Sequence, residues 1–98
     1  METEIEVTGT ADSETAAEVL RNLRILYNTR AGEQALDRDF GLDASIMDYP
    51  SAAARSLYTA EFVRKTERYE PRAQVQRVEW QGDAAQGSMK AKVVVRLV

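Results

Sequence analysis

Apolar residues recur along this chain with two different periods. Near the start, Glu4-Ile5-Glu6-Val7-Thr8 alternates polar with apolar, the pattern of a half-buried strand that Gly9 ends. Asp12 or Ser13 can cap a following helix, with Glu14 placed well for its dipole. Across residues 13–29, Ala16, Val19, Leu20, Leu23, Leu26 and Tyr27 fall on one face at helical spacing. Glu14, Glu18, Arg21 and Asn28 take the opposite face. Ile25 stands alone among them, and a lone exposed isoleucine is ordinary. Gly32 is expected to be the left-handed stop of this helix.

Residues 30–49 hold no sustained period. Gln34-Ala35-Leu36 fits a short strand, and residues 44–47 fit one helical turn. A stretch this irregular in a small domain is usually functional or packed down by its own side chains, and Phe40, Leu42, Ile46 and Met47 can supply that packing. An ordered loop is expected. A second helix follows over residues 50–69, with Pro50 in its first turn and Asp48 as a nearby cap. It carries two apolar stripes. Ala53, Leu57, Ala60 and Val63 form one, and Tyr58, Phe62 and Tyr69 form the other; Glu61, Arg64, Lys65 and Arg68 fall between them. Either both stripes are buried, or part of the aromatic stripe meets another protein.

The period changes at Tyr69-Glu70-Pro71-Arg72. A proline ring fixes φ, removes a donor and pushes the preceding residue out of helical geometry. The helix is therefore expected to end near Tyr69 and a strand to open at Arg72, with an acid and a base held two residues apart at a stiff corner. Beyond it, Ala73 and Val75 share one phase while Val78 and Trp80 share the other, which predicts a bulge near Gln76-Arg77. Residues 81–87 read as a polar hairpin loop. Met89, Ala91, Val93, Val95 and Leu97 then alternate with Lys90, Lys92 and Arg96, and Val94 interrupts the polar face. The fold class is α+β: two main helices on a small three- to four-stranded sheet with a C-terminal β-hairpin.

Composition narrows the function. The 98 residues suit a single domain over residues 1–98, with 44% hydrophobic and 30% charged residues, as in a soluble globule. Net charge is −3 and no basic block interleaves with aromatics, so nucleic acid is not an expected partner. No apolar run suits a membrane span, and the acidic start does not read as a signal peptide. Cysteine and histidine are both absent, which removes disulfides, thiolate chemistry and every serine–histidine triad.

Two chemistries remain open to the acidic residues. Asp37, Asp39, Gly41, Asp43 and Asp48 faintly resemble a calcium loop, but Leu42 stands where the sharp turn needs glycine and no closing glutamate follows. Glu67, Glu70, Asp37 and Asp39 are the carboxylates available to a glycosidase. A general acid needs a raised pKa, whereas Arg72, Arg68 and Arg64 near Glu70 should push it down. No cofactor, metal or small-molecule substrate is expected.

Three short motifs in order carry a family resemblance: Asn28-Thr29-Arg30-Ala31-Gly32-Glu33, then Asp37-Arg38-Asp39-Phe40-Gly41, then Tyr69-Glu70-Pro71-Arg72. Together, over roughly residues 13–98, they resemble the small baseplate wedge protein of contractile phage tails, historically labelled lysozyme-like, with its type VI secretion counterpart and the phage baseplate assembly protein W. The resemblance implies a non-enzymatic structural role that joins wedge subunits near the central hub and helps initiate sheath assembly. It implies wedge, hub and sheath partners, and a place in the virion tail baseplate after assembly in the bacterial cytoplasm. A peptidoglycan-cleaving tail lysozyme is the alternative.

Carried onto this chain, the resemblance makes Tyr69, Glu70, Pro71 and Arg72 a docking corner, with Arg30, Arg38 and Phe40 beside it. Glu70 and Arg72 either face a partner or tie the helix end to the loop of residues 30–39. The final strand or the short N-terminal strand is expected to pair with an arm of a sheath subunit.

Overall fold

The computed structural model describes residues 2–9, 12–82 and 89–98. In chain order it contains β1 (Glu2–Thr8), α1 (Ser13–Tyr27), a 3-10 helix (Ala44–Asp48), α2 (Ser51–Tyr69), β2 (Ala73–Gln81) and β3 (Lys90–Leu97). The sheet is mixed and three-stranded in the order β1-β3-β2, with β1 parallel and β2 antiparallel to β3. The class is α+β, as the periodicity predicts. The expected hairpin loop lies, from residue 83 to 87, outside the described residues. No helix among the described residues is long and apolar enough to cross a membrane.

Alternation along β3 sorts the two faces of the sheet. Met89, Ala91, Val93 and Val95 are buried against Val19, Leu23, Leu26 and Tyr27 of α1 and Ala54, Tyr58 and Phe62 of α2. The aromatic rings interlock, with Tyr27 edge-on to Phe62 at 4.9 Å and Trp80 beside both Tyr58 and Phe62. The other face carries charge. Lys90 meets Glu4 at 3.5 Å, and Lys92 lies between Glu6 at 3.7 Å and Glu79 at 3.9 Å. Val94 is buried on this charged face. Its register neighbours are Glu6 and Arg77, whose aliphatic stems can cover it. The bulge falls between Val75 and Arg77, at the phase change in β2. It lets Ala73 and Val75 share the core side with Val78 and Trp80.

Several local expectations are corrected. Asn28 closes α1, with its backbone N–H on the Arg24 and Leu26 carbonyls, so Gly32 is not the stop; its φ of +98° serves a turn four residues later. Residues 34–36 form no strand, and Leu36 is fully exposed because nothing packs on it. Pro50 itself occupies the N-cap of α2 without a side-chain bond, and Asp48 does not cap it. Leu42 and Ile46 supply the loop's packing, but Met47 is left exposed.

The two stripes of α2 also differ from expectation. Tyr58 and Phe62 are buried and Tyr69 partly so, while Leu57 and Val63 are exposed. Tyr58 and Phe62 of the aromatic stripe therefore serve the core. Finally, β3 is the central strand. Both its edges are paired, so it cannot accept a further strand, and β1 and β2 are the sheet's edges.

Candidate functional site

The three motifs converge in space. The loop after α1 folds back on itself as a short parallel bridge between Arg30 and Leu42. Ala31 donates to the Leu42 carbonyl at 2.9 Å, and Leu42 donates to the Thr29 carbonyl at 2.8 Å. Gly32 donates to the Arg38 carbonyl at 2.8 Å. Gly41 sits at the crossing with φ +109°, and a Cβ there would stand 2.5 Å from the Thr29 carbonyl oxygen. The first two motifs are thus two sides of one knot, and the glycine of the second is required by close backbone approach.

The end of α2 holds that knot. Tyr69 donates its hydroxyl to Asp37 Oδ1 at 2.9 Å, and its ring meets Phe40 edge-on at 5.0 Å. Asp39 receives Lys65 Nζ at 3.0 Å and Arg68 Nη1 at 2.8 Å, with Arg64 at 3.7 Å. Lys65 also donates to the Asp39 carbonyl. The Lys65 side chain is only 1% exposed. Its hydrogen bond to Asp39, aided by the charges of Lys65, Arg68 and Arg64, holds the Asp39 carboxyl below the usual carboxylate range. Glu61, a buried carboxylate of α2, accepts from the Asp43 backbone at 3.1 Å and from Arg64 at 2.7 Å.

Glu70 caps the C-terminal end of α2. Its N–H bonds the Thr66 carbonyl at 2.8 Å, its backbone has left helical geometry at φ −140° and ψ 73°, and its side chain turns inward. That carboxylate is buried. It accepts Arg72 Nε and Nη2 and, on Oε2, Asn22 Nδ2 at 2.9 Å. The Arg72 bonds first, and the Asn22 bond after them, pull the Glu70 pKa down against the opposing effect of burial. Arg72 also reaches Glu18 at 3.3 Å, and its own pKa is driven up by Glu70. Glu70 and Arg72 therefore tie the corner to α1 and not to the loop of residues 30–39, as the alternative to docking had it. Tyr69 makes the loop tie instead. Sequence reasoning missed Asn22, Glu18 and Lys65. Lys65 lies at helical spacing from Tyr58, Phe62 and Tyr69, so its place on the buried stripe was readable.

Arg30, Arg38 and Pro71 are exposed around this assembly, Phe40 is half-buried against Tyr69, and the Arg72 side chain keeps 41% exposure. Among the described residues Arg30 and Arg38 form no ion pair. The arrangement can present cations and a rigid proline turn to another macromolecule. Asp39 and Glu70 are both held below the usual carboxylate range, the opposite of what a general acid requires. Comparison with known proteins agrees with the motif reading. None of the curated proteins is a significant match. The model for the family "Baseplate wedge protein gp25" matches residues 13–98, leaving β1 outside the match. This chain therefore belongs to the baseplate wedge protein gp25 family, one of structural baseplate proteins.

Proposed function

We propose that this protein is a non-enzymatic joint of a contractile injection machine, linking wedge subunits through the Tyr69–Arg72 corner and helping the sheath to start. One observation carries the proposal. The three motifs that mark the family fold into a single cross-braced unit whose outer surface still presents Arg30, Arg38, Pro71 and part of Arg72. Internal bracing makes the corner rigid, and rigid presentation lowers the ordering cost of docking. Partners on the wedge would meet the arginines with carboxylates, for which planar guanidinium groups are well suited. Strand addition by an arm of a sheath subunit is the second contact, at one of the sheet edges.

The tail-lysozyme reading fares worse. Glu70 is the carboxylate the corner would use, and Arg72 and Asn22 stabilise its charged form. The localisation that follows is the tail baseplate, after assembly in the bacterial cytoplasm.

The test uses exposed residues whose change spares the internal braces. Arg30→Glu with Arg38→Glu should leave circular dichroism and melting unchanged but block baseplate assembly when the variant replaces the normal protein. Normal particle yield from this variant would remove these arginines from the docking surface. Clearing of cell-wall suspensions by the pure protein, lost in Glu70→Gln, would overturn the non-enzymatic reading altogether.

A further inference from the structure

Tyr58 stands on α2 eleven residues before Tyr69, or about 16 Å along the helix from the corner. It lines an open cleft between α2 and the loop that follows α1. The cleft has a volume of about 470 Å³. Tyr27, Leu42 and Met47 give it apolar walls, and Arg30 and Asp48 are its charged groups. Neither of these two forms an ion pair among the described residues. The hydroxyls of Thr29 and Ser45 on the same lining are engaged, by the Ile25 carbonyl and by Asp43 Oδ1. That of Tyr58 is not. Tyr58 is only 3% exposed, with its ring beside Phe62 and Trp80, yet its hydroxyl has no hydrogen-bond partner among the described residues. The oxygen is not sealed inside the core, so it opens on the cleft. A buried phenol usually finds a partner for its O–H. Burial raises the pKa of this one, so the proton stays on the oxygen and is available to donate. The charges that act on it include Asp43, Arg30 and Asp48, all in the loop, which agrees with a hydroxyl turned toward the cleft.

We infer that this cleft binds a carboxylate side chain, a glutamate or aspartate on a segment of a partner protein, which accepts from Arg30 and from the Tyr58 hydroxyl. This rests on the reading of Arg30 as a docking arginine and names the group that it meets. Two donors on one cleft, one of them cationic, suit a group that only accepts. Asp48 limits the charge of the ligand. With Arg30 it leaves the lining neutral, so a monoanion fits, whereas a phosphate dianion lacks the second cation it needs. Asp48 in turn suits a backbone N–H of the same segment. Leu42 and Met47 offer apolar contact to the stem of the side chain, and glutamate, with one methylene more, uses them better than aspartate. The volume lies in the ordinary range for ligand sites, about 300–1,000 Å³. A bound carboxylate also completes a hydroxyl that the fold leaves without a partner.

The test titrates the full chain with capped pentapeptides of alanine whose central residue is glutamate, glutamine or lysine. A further all-alanine peptide carries a free C-terminal carboxylate. Backbone amide signals report where each binds. The glutamate peptide should move the signals of residues 29–30 and 42–48 and bind at least fivefold more tightly than the glutamine peptide. Tyr58→Phe should keep the melting temperature, because the lost hydroxyl has no partner in the fold, and should weaken the glutamate peptide at least threefold. Arg30→Gln should weaken it as much or more. Preference for lysine, tighter binding of the free C-terminal carboxylate, or no perturbation at millimolar peptide overturns the inference. So does a Tyr58→Phe chain that binds as the normal one or melts well below it. Particles separate this from its parent. If Tyr58→Phe assembles normally where Arg30→Glu with Arg38→Glu does not, the cleft is removed and the docking arginines stand; loss of assembly in Tyr58→Phe supports the cleft. Selectivity among the peptides needs no assembled machine, so it is read independently of the docking proposal.

Discussion

The Arg72 guanidinium holds both carboxylate oxygens of Glu70, Nε on Oε1 at 2.8 Å and Nη2 on Oε2 at 3.0 Å. The two residues flank Pro71, so the clasp closes over the turn itself. A planar fork meeting a carboxylate is a geometry lysine cannot reproduce. Glu70 is 4% exposed, and Asn22 is its remaining side-chain donor.

Arg72→Ala should therefore lower the midpoint of chemical denaturation, because it removes the main hydrogen-bonding partner of a buried charge. Arg72→Lys should recover less than half of that. The pH dependence has a definite sign. Glu70 has a folded pKa below its ordinary 4.5. Its contribution is present above that value and is lost as pH falls through the lower folded one. Denaturant melts of the normal chain and Glu70→Gln should converge as pH drops below about 4.5. Parallel curves down to the acid unfolding point would contradict the clasp.

Asp39 and Lys65 make the second prediction. Lys65 is almost fully enclosed, and Asp39 is its charged partner. Asp39→Asn would leave an ammonium buried with neutral acceptors and should clearly destabilise the fold. Lys65→Met on its own removes the charge and keeps the stem. The double variant should be more stable than Asp39→Asn alone, since an apolar side chain replaces an orphaned charge. A double-mutant cycle by chemical denaturation measures the coupling.

Gly41 gives a third. Its φ of +109° and the 2.5 Å approach of a Cβ to the Thr29 carbonyl act together. Gly41→Ala must strain the backbone and part the bridge between Arg30 and Leu42. A loss of about 2–4 kcal/mol is expected, since left-handed strain of about 1–3 kcal/mol adds to the clash. Gly32→Ala should cost less. Gly32 shares the positive φ, but a Cβ there finds its nearest atom, an Arg38 side-chain nitrogen, at 4.0 Å. Equal melting temperatures for the two variants would mean that close approach is not what Gly41 provides.

The elements were legible because their burial is simple. Alternation in β3 and the 3.6-residue stripe of α1 each report one buried face, and the bulge announced itself when Val75 and Val78 changed phase. The order of the strands was not legible. A parallel β1–β3 pair joins residues nearly ninety apart, and local pattern holds no information on such pairing. The corner was half legible. Pro71 and its flanking charges stand in the sequence, but Asn22 reaches Glu70 from 48 residues away. The burial of Lys65 runs against its residue type, since lysine is seldom fully buried, and its partner lies in an aperiodic loop where spacing says nothing. The stripe of Leu57 and Val63 was placed correctly on one helix face, but amphipathicity cannot tell a core from a surface awaiting a partner.

Tyr27 supplies the last prediction, at alkaline pH. Its hydroxyl is buried in a hydrogen bond with Thr66, and burial drives its pKa up to about 12 despite Thr66 acting the other way. The protonated phenol is thus the form the fold favours. Stability from this group is complete below the unfolded value of 10.0 and is lost as pH rises from there through about 12. The loss can reach about 3 kcal/mol if no other group intervenes. Tyr27→Phe should be less stable at neutral pH, because Thr66 loses its partner in the core, yet should decline less steeply between pH 10 and 12. Phenolate absorbance would show Tyr27 of the normal chain ionising only with unfolding. If all four tyrosines ionise while the far-ultraviolet dichroism is still native, the buried Tyr27–Thr66 bond does not close the core as described.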